Sequence, residues 1–133
     1  VKLNHIQQPE NSRLCGQTVV AMLAGITLDQ SIAEFNDKIA GTYHRELTRV
    51  LLRFGWKPQS ERLIKFRKGV DIPEICLIKV WWDRTGSTHW ALKYGNILHD
   101  PCVGHPIDWT DNYLAFKRRT NQHRMTSFLE FRK

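Results

Sequence analysis

Three residues far apart in this sequence can do one piece of chemistry together: Cys15, His89 and Asp100. Cys15 sits in Asn11-Ser12-Arg13-Leu14-Cys15-Gly16-Gln17-Thr18-Val19-Val20-Ala21-Met22-Leu23, where a polar loop meets an apolar run of helical character. A thiol in the first turn of such a helix feels unpaired backbone N–H groups and the positive end of the helix dipole. Both favour the thiolate, which is the nucleophile, and Gly16 beside it allows close approach of backbone or substrate. A lone cysteine at a helix start is more often a small core hydrophobe, so its partners decide the matter. His89 lies in Thr88-His89-Trp90-Ala91-Leu92, an otherwise apolar strand pattern, and Asp100 follows in Ile97-Leu98-His99-Asp100. In a hairpin turning at Gly95-Asn96, residues 89 and 100 fall nearly opposite one another. A carboxylate there would fix the imidazole tautomer and stabilise its charged form. Asn96 is the other residue in reach of His89, but it belongs to the turn itself, and Asp100 has the better register.

The elements that must position these groups follow from periodicity and from turn residues. A buried helix is expected from Cys15 to Ala24, stopped by Gly25. Thr27 caps a second helix with Leu28, Ile32, Phe35 and Ile39 on one face. Gly41 breaks it, Thr42 caps a third, and Leu47, Val50, Leu51 and Phe54 form that helix's apolar side up to Gly55. The period then changes. Arg62 to Phe66 alternates weakly, Gly69 to Glu74 reads as loop, and Ile75 to Trp82 is a strong, centrally placed strand. Thr88 to Tyr94 and Ile97 to Asp100 form the hairpin. Trp109 to Phe116 reads as a short helix capped by Asp108, and Met125 to Phe131 as a closing strand. Helices first and an antiparallel sheet afterwards define an α+β class.

The 133 residues suit a single domain, 1–133, with a proper core. The chain is 41% hydrophobic and 25% charged, ordinary for a globular protein. No apolar run reaches transmembrane length, and Val1-Lys2-Leu3-Asn4-His5 lacks the hydrophobic region of a signal peptide. No membrane insertion is therefore expected. The expected location is the cytoplasm, or delivery as an effector or toxin without a classical signal peptide. Three cysteines, Cys15, Cys76 and Cys102, do not make a disulfide framework and fit a reducing compartment. The net charge of +7 favours acidic partners. It is scattered, with small groups at Lys65-Phe66-Arg67-Lys68 and Lys117-Arg118-Arg119. No helix-turn-helix, zinc finger or aromatic RNA-binding signature accompanies it, so no nucleic-acid partner is expected.

Other constellations are weaker. His99, Cys102 and His105, with Cys76 as a fourth ligand, invite comparison with a zinc site, but a second closely spaced ligand pair is missing. No metal and no cofactor are expected. Cys76, inside an apolar strand, reads as core. Trp81, Trp82 and Trp109 suit packing as well as a groove, whereas Trp90, next to the histidine, has the best claim to touch a substrate.

With Gln8, Leu14-Cys15-Gly16-Gln17, Thr88-His89-Trp90-Ala91-Leu92 and Ile97-Leu98-His99-Asp100-Pro101 in that order, the chain resembles the papain-like cysteine peptidases. Within them it is most similar to the C39-like, bacteriocin-processing type. Gly41-Thr42 before a helix ending Phe54-Gly55-Trp56, and Pro73 before an apolar strand, are similar to that family's middle segment. The resemblance runs from about Gln8 to Phe116. It implies a papain-like fold, with Cys15 as nucleophile, His89 as general base and then acid, Asp100 as the orienting residue and Gln8 as the side-chain donor of the oxyanion hole. The family's glutamine usually stands about six residues before its cysteine. Here Gln8 is seven before and Gln7 eight, so Gln7 stays in play, and Leu14 stands where the family often has an acid. The implied reaction is attack on an amide carbonyl, an acyl-enzyme and its hydrolysis. The implied partner is a peptide or protein substrate, acidic by charge complementarity. The same chemistry would serve a glutamine deamidase effector or toxin, and the same fold a non-catalytic binding module.

Overall fold

The computed structural model describes residues 3–67, 69–82, 86–109 and 123–133. Three helices precede the sheet: α1 Cys15–Ala24, α2 Leu28–Glu34 and α3 His44–Arg53. Every residue of α1 from Cys15 to Leu23 is buried, as an all-round apolar helix demands. It packs on α2, on α3 and on the sheet. Gly25 ends it in the left-handed region, at φ 74°, with its N–H donating to Ala21 O at 3.0 Å.

Helix α2 begins as expected. Thr27 and Gln30 exchange a reciprocal pair of cap bonds, Gln30 N–H to Thr27 Oγ1 at 3.1 Å and Thr27 N–H to Gln30 Oε1 at 2.9 Å. It ends earlier than its periodicity suggests. Asn36 and Asp37 both take positive φ, 55° and 62°, and a helix does not pass through two left-handed residues. Ile39, expected on the apolar face, is 70% exposed. Helix α3 is capped by Tyr43 rather than Thr42, because Glu46 reaches back to accept the Tyr43 N–H at 3.0 Å. Thr42 is drawn inward against α1 instead. Leu47, Val50 and Leu51 form the buried stripe.

The strands are β1 Lys57–Pro58, β2 Ile64–Lys65, β3 Ile75–Trp82, β4 Ser87–Tyr94, β5 Ile97–His99, β6 Ile107–Asp108 and β7 His123–Arg132. They form an antiparallel sheet in the order β1-β7-β3-β4-β5-β6, with β2 also on β7. β3 is central, as its unbroken hydrophobicity required. β1 and β6 have two residues each, too short to leave a periodic signal. The Arg62–Phe66 stretch is in register with β7 at Ile64 and Lys65, Phe66 N–H donates to Thr126 O at 3.1 Å, and the closing strand is longer than expected. Of the helix expected over Trp109 to Phe116, residues 110–116 lie outside the described residues. Alternation divides the core in two. Leu77, Trp90, Leu92, Leu129 and Phe131 face the helices, whereas Cys76, Ile78, Val80, Ala91, Leu98 and Phe128 cluster on the opposite face with Trp109. No helix among the described residues is long and apolar enough to cross a membrane.

One detail of the sheet positions the site. β5 pairs with β4 only at Leu92, Lys93 and Tyr94 and ends at His99. On the side away from β3, the edge of β4 from Ser87 to Ala91 therefore has no strand beside it among the described residues, and the start of α1 comes to that open edge.

Candidate active site

Cys15 is the first residue of α1, buried at the mouth of a groove of about 870 Å³. Its sulfur receives backbone N–H groups from Gly16, in the first helical turn, and from Trp90, on the open edge of β4. Burial pushes the thiol up. Hydrogen bonding and the positive charge of His89, with those two N–H groups, outweigh burial and leave it below the ordinary thiol range.

His89 is 2% exposed. Its Nε2 lies 2.7 Å from Asp100 Oδ1. A carboxylate only accepts, so Nε2 carries the proton and Nδ1 is turned towards the sulfurs. The observed register pairs Leu92 with His99. Residue 100 would then lie opposite Ala91, on the same side of the hairpin as His89. Asp100 reaches His89 diagonally from just past the strand end. Asn96 is occupied in the turn, where its carbonyl accepts the Trp109 N–H at 2.8 Å. Burial opposes charge on His89, but Asp100, Cys102 and Cys15 together raise its pKa well above the ordinary imidazole value. A lowered thiol beside a raised imidazole favours a thiolate–imidazolium pair. The indole of Trp82 stacks on the His89 ring, with centroids 4.7 Å apart and planes 20° apart, which limits ring rotation.

Asp100 is itself held. Its Oδ1 also accepts the Cys102 N–H at 2.9 Å, and Val103 N–H donates to its carbonyl at 3.0 Å, so Pro101 and Cys102 form a tight turn. Gln8 N–H donates to Pro101 O at 2.8 Å, which ties the N-terminal segment to that turn. The Gln8 side chain lies along the groove with Cys15, its Nε2 donating to Ser12 O at 3.0 Å and to Ser12 Oγ at 3.3 Å. Gln7 lines the same groove but is exposed and leans on Gly104.

Trp90, expected at the substrate, has its side chain in the core at 3% exposure and donates Nε1–H to Thr42 O at 3.1 Å. Its backbone is what addresses Cys15. Lys79, Trp81 and Trp82 from the end of β3 line the groove together with Arg13, Lys38, Gly41 and Tyr43. The residues weighed as a zinc set, and set aside, do not converge. His99 meets His5, with Nδ1 atoms 3.0 Å apart, and Cys76 is buried beside Pro73 with its thiol pushed up to about 12. Cys102 turns to His89 instead.

Gln17 was not expected to matter. It is fully buried, and its Nε2 donates to Lys38 O at 2.9 Å and Ala40 O at 3.0 Å, fixing the loop that forms one groove wall. The sequence signal was a polar residue inside an otherwise apolar helix. Gln17→Ala strands two carbonyls, and denaturant melts should show a loss on the order of 2–3 kcal/mol.

No family model matches the chain, and no curated protein matches it significantly. A solved structure is similar: a double glycine motif protease from an AMS/PCAT transporter, in complex with its leader peptide. It superposes with a TM-score of 0.61 at 18% identity, over 98% of this chain and 91% of that one. The likeness establishes a shared α+β fold of N-terminal helices on an antiparallel sheet.

Proposed function

We propose that the protein is a papain-like cysteine peptidase, with Cys15 as nucleophile, His89 as base and acid, and Asp100 as the residue that orients His89. The observation that carries this is the His89 Nε2–Asp100 Oδ1 contact of 2.7 Å, with the other side of the ring turned to a helix-start thiol. A thiolate at Cys15 attacks an amide carbonyl, His89 protonates the departing amine, and a water activated by His89 then hydrolyses the thioester. The backbone N–H of Cys15, at the first turn of α1, would meet the developing oxyanion, and the Gln8 amide would join it on releasing Ser12, to which its Nε2 donates in the structure. The groove of about 870 Å³ is lined by Cys15 and His89, and the structural neighbour was solved in complex with a leader peptide. Arg13 and Lys79 against Glu10 leave the groove mildly basic, since Lys38 is paired to Glu46 and burial with Arg45 holds the His44 pKa down, and this favours acidic substrates.

Incubation with a mixed peptide library, read by mass spectrometry, tests the reading. New termini should appear with the wild type and not with Cys15→Ala. Conversion of glutamine to glutamate without new termini would make the protein a deamidase. Capture of intact peptides with no product would make it a binding module.

Asp100→Ala provides a pH test. The active form needs Cys15 deprotonated and His89 protonated, so the acid limb of the rate profile reports the thiol and the alkaline limb the imidazole. Asp100 raises the pKa of His89. Its removal should move the alkaline limb to lower pH and lower the maximum rate by roughly 10- to 100-fold, below the full range for losing an acid–base group. An alkaline limb that stays in place would separate Asp100 from His89 function.

A further inference from the structure

Cys102 has no part in the peptidase step, yet the fold brings its thiol to the catalytic imidazole. Cys102 Sγ lies 4.0 Å from His89 Nδ1, the nitrogen turned away from Asp100. His89, Asp100 and Cys102 each bring a donor atom within 4.8 Å of the others. Cys15 contacts the same imidazole, and all three of Cys15, His89 and Cys102 line the groove. We propose that Cys15 Sγ, His89 Nδ1 and Cys102 Sγ form a three-ligand site for a thiophilic divalent ion of the zinc type, and that the ion blocks the nucleophile while bound.

The geometry suits such an ion. A tetrahedral zinc with ordinary bond lengths holds a nitrogen and a sulfur ligand about 3.6 Å apart. The His89–Cys102 separation of 4.0 Å needs to close by only a few tenths of an ångström, and Cys102, an exposed side chain, has to swing further to meet Cys15, which stands outside the His89–Asp100–Cys102 cluster. The tautomer is set in advance. Asp100 accepts from Nε2, which leaves the Nδ1 lone pair to bind metal, the usual carboxylate support of a metal-bound histidine. The Cys102 N–H bond to the same carboxylate oxygen ties the sulfur's backbone to that support. Two sulfurs and one imidazole are soft and borderline donors that select zinc-like ions over magnesium or calcium. The fourth position opens to the groove. Binding forms two metal–sulfur bonds and one metal–nitrogen bond, releases to solvent the protons of the thiols and of any imidazolium, and oxidises nothing.

Only the inhibitory part rests on the peptidase reading; metal binding does not. The full chain, kept reduced with a phosphine, is titrated with Zn²⁺ against a chromophoric zinc indicator and separately with Co²⁺. One equivalent should bind, and Co²⁺ should give a thiolate-to-cobalt charge-transfer band. Cys102→Ser and Cys15→Ser should each weaken zinc binding at least tenfold, and Asp100→Ala by roughly 10- to 100-fold. Cys76→Ser should change nothing. Circular dichroism melts establish that each variant is folded. Zinc binding by Cys102→Ser equal to that of the wild type, or a wild type with no charge-transfer band, would overturn the site. If peptides are hydrolysed and zinc-saturated protein cleaves them at the metal-free rate, the inhibitory part falls. If no peptide is hydrolysed under any condition, the peptidase reading fails while the indicator and cobalt results still decide the metal site.

Discussion

His89→Ala should leave a folded protein whose Cys15 behaves as an ordinary thiol. Peptide hydrolysis should fall by at least roughly 10³-fold, in the range for loss of a positioned general acid–base group. Hydrolysis needs a substrate; thiol reactivity does not, so alkylation is the sharper measurement. His89 is the largest influence holding the buried Cys15 thiol down, through its hydrogen bond and its charge. Without it, burial acts unopposed except by the Gly16 and Trp90 N–H groups. At pH 6, in a chelator-containing buffer, wild-type Cys15 should react with a small alkylating reagent on the order of 10- to 100-fold faster than the variant. The factor is smaller than the change in thiolate population, because a less basic thiolate is intrinsically a weaker nucleophile. The other cysteines are internal controls. Cys76, buried with its thiol pushed up to about 12, should stay unlabelled in both proteins, and exposed Cys102 should label in both. Equal labelling of Cys15 in the two proteins would sink the triad.

Gly16→Ala should reverse the sign that helix propensity assigns to it. Alanine in place of glycine inside a helix normally stabilises by about 1 kcal/mol. Here a Cβ on Gly16 would sit 1.8 Å from Thr42 Oγ1, 3.1 Å from Thr42 Cβ and 3.0 Å from Leu47 Cδ2. The first of these is far inside contact distance. Thr42 cannot swing away easily, since its carbonyl accepts the Trp90 indole and Leu47 behind it is fully buried. Overpacking of this kind costs roughly 1–3 kcal/mol, and denaturant melts should show a net loss despite the propensity gain. The shift would also move α1 against β4, and with it Cys15 against His89, so Cys15 alkylation should slow as well. Thr42→Ala offers the compensating change. Thr42 Oγ1 is buried without a hydrogen-bond partner, so its removal sacrifices no bond and clears the worst contact. The double variant Gly16→Ala/Thr42→Ala should recover most of the lost stability. If Gly16→Ala alone is as stable as the wild type, the packing at this point is wrong.

Local patterns announced much of this architecture. The largely apolar run after Cys15 pointed to a buried helix, and Thr27 marked the start of α2. The continuous hydrophobicity of β3 placed it in the middle of the sheet. Gly95-Asn96 fixed the hairpin turn and, with it, the approach of Asp100 to His89, because side chains alternate along a strand and the turn sets the count. The early end of α2 was not legible. Phe35 and Ile39 keep helical spacing, but the left-handed residues Asn36 and Asp37 redirect the backbone, and Gln17, from another helix, binds the carbonyls of Lys38 and Ala40.

The candidate site divides the same way. Residue types, a helix start and a hairpin were enough to nominate Cys15, His89 and Asp100, since each of those signals is local or spans one short turn. Bringing α1 to the open edge of β4 took the whole sheet, because that edge exists only where β5 stops at His99. The stacking of Trp82 on His89, the withdrawal of Trp90 into the core and the turn of Cys102 towards His89 likewise depend on packing between elements distant in sequence. Spacing along a chain determines which side chains share a face. Which faces meet is decided by burial of the core as a whole.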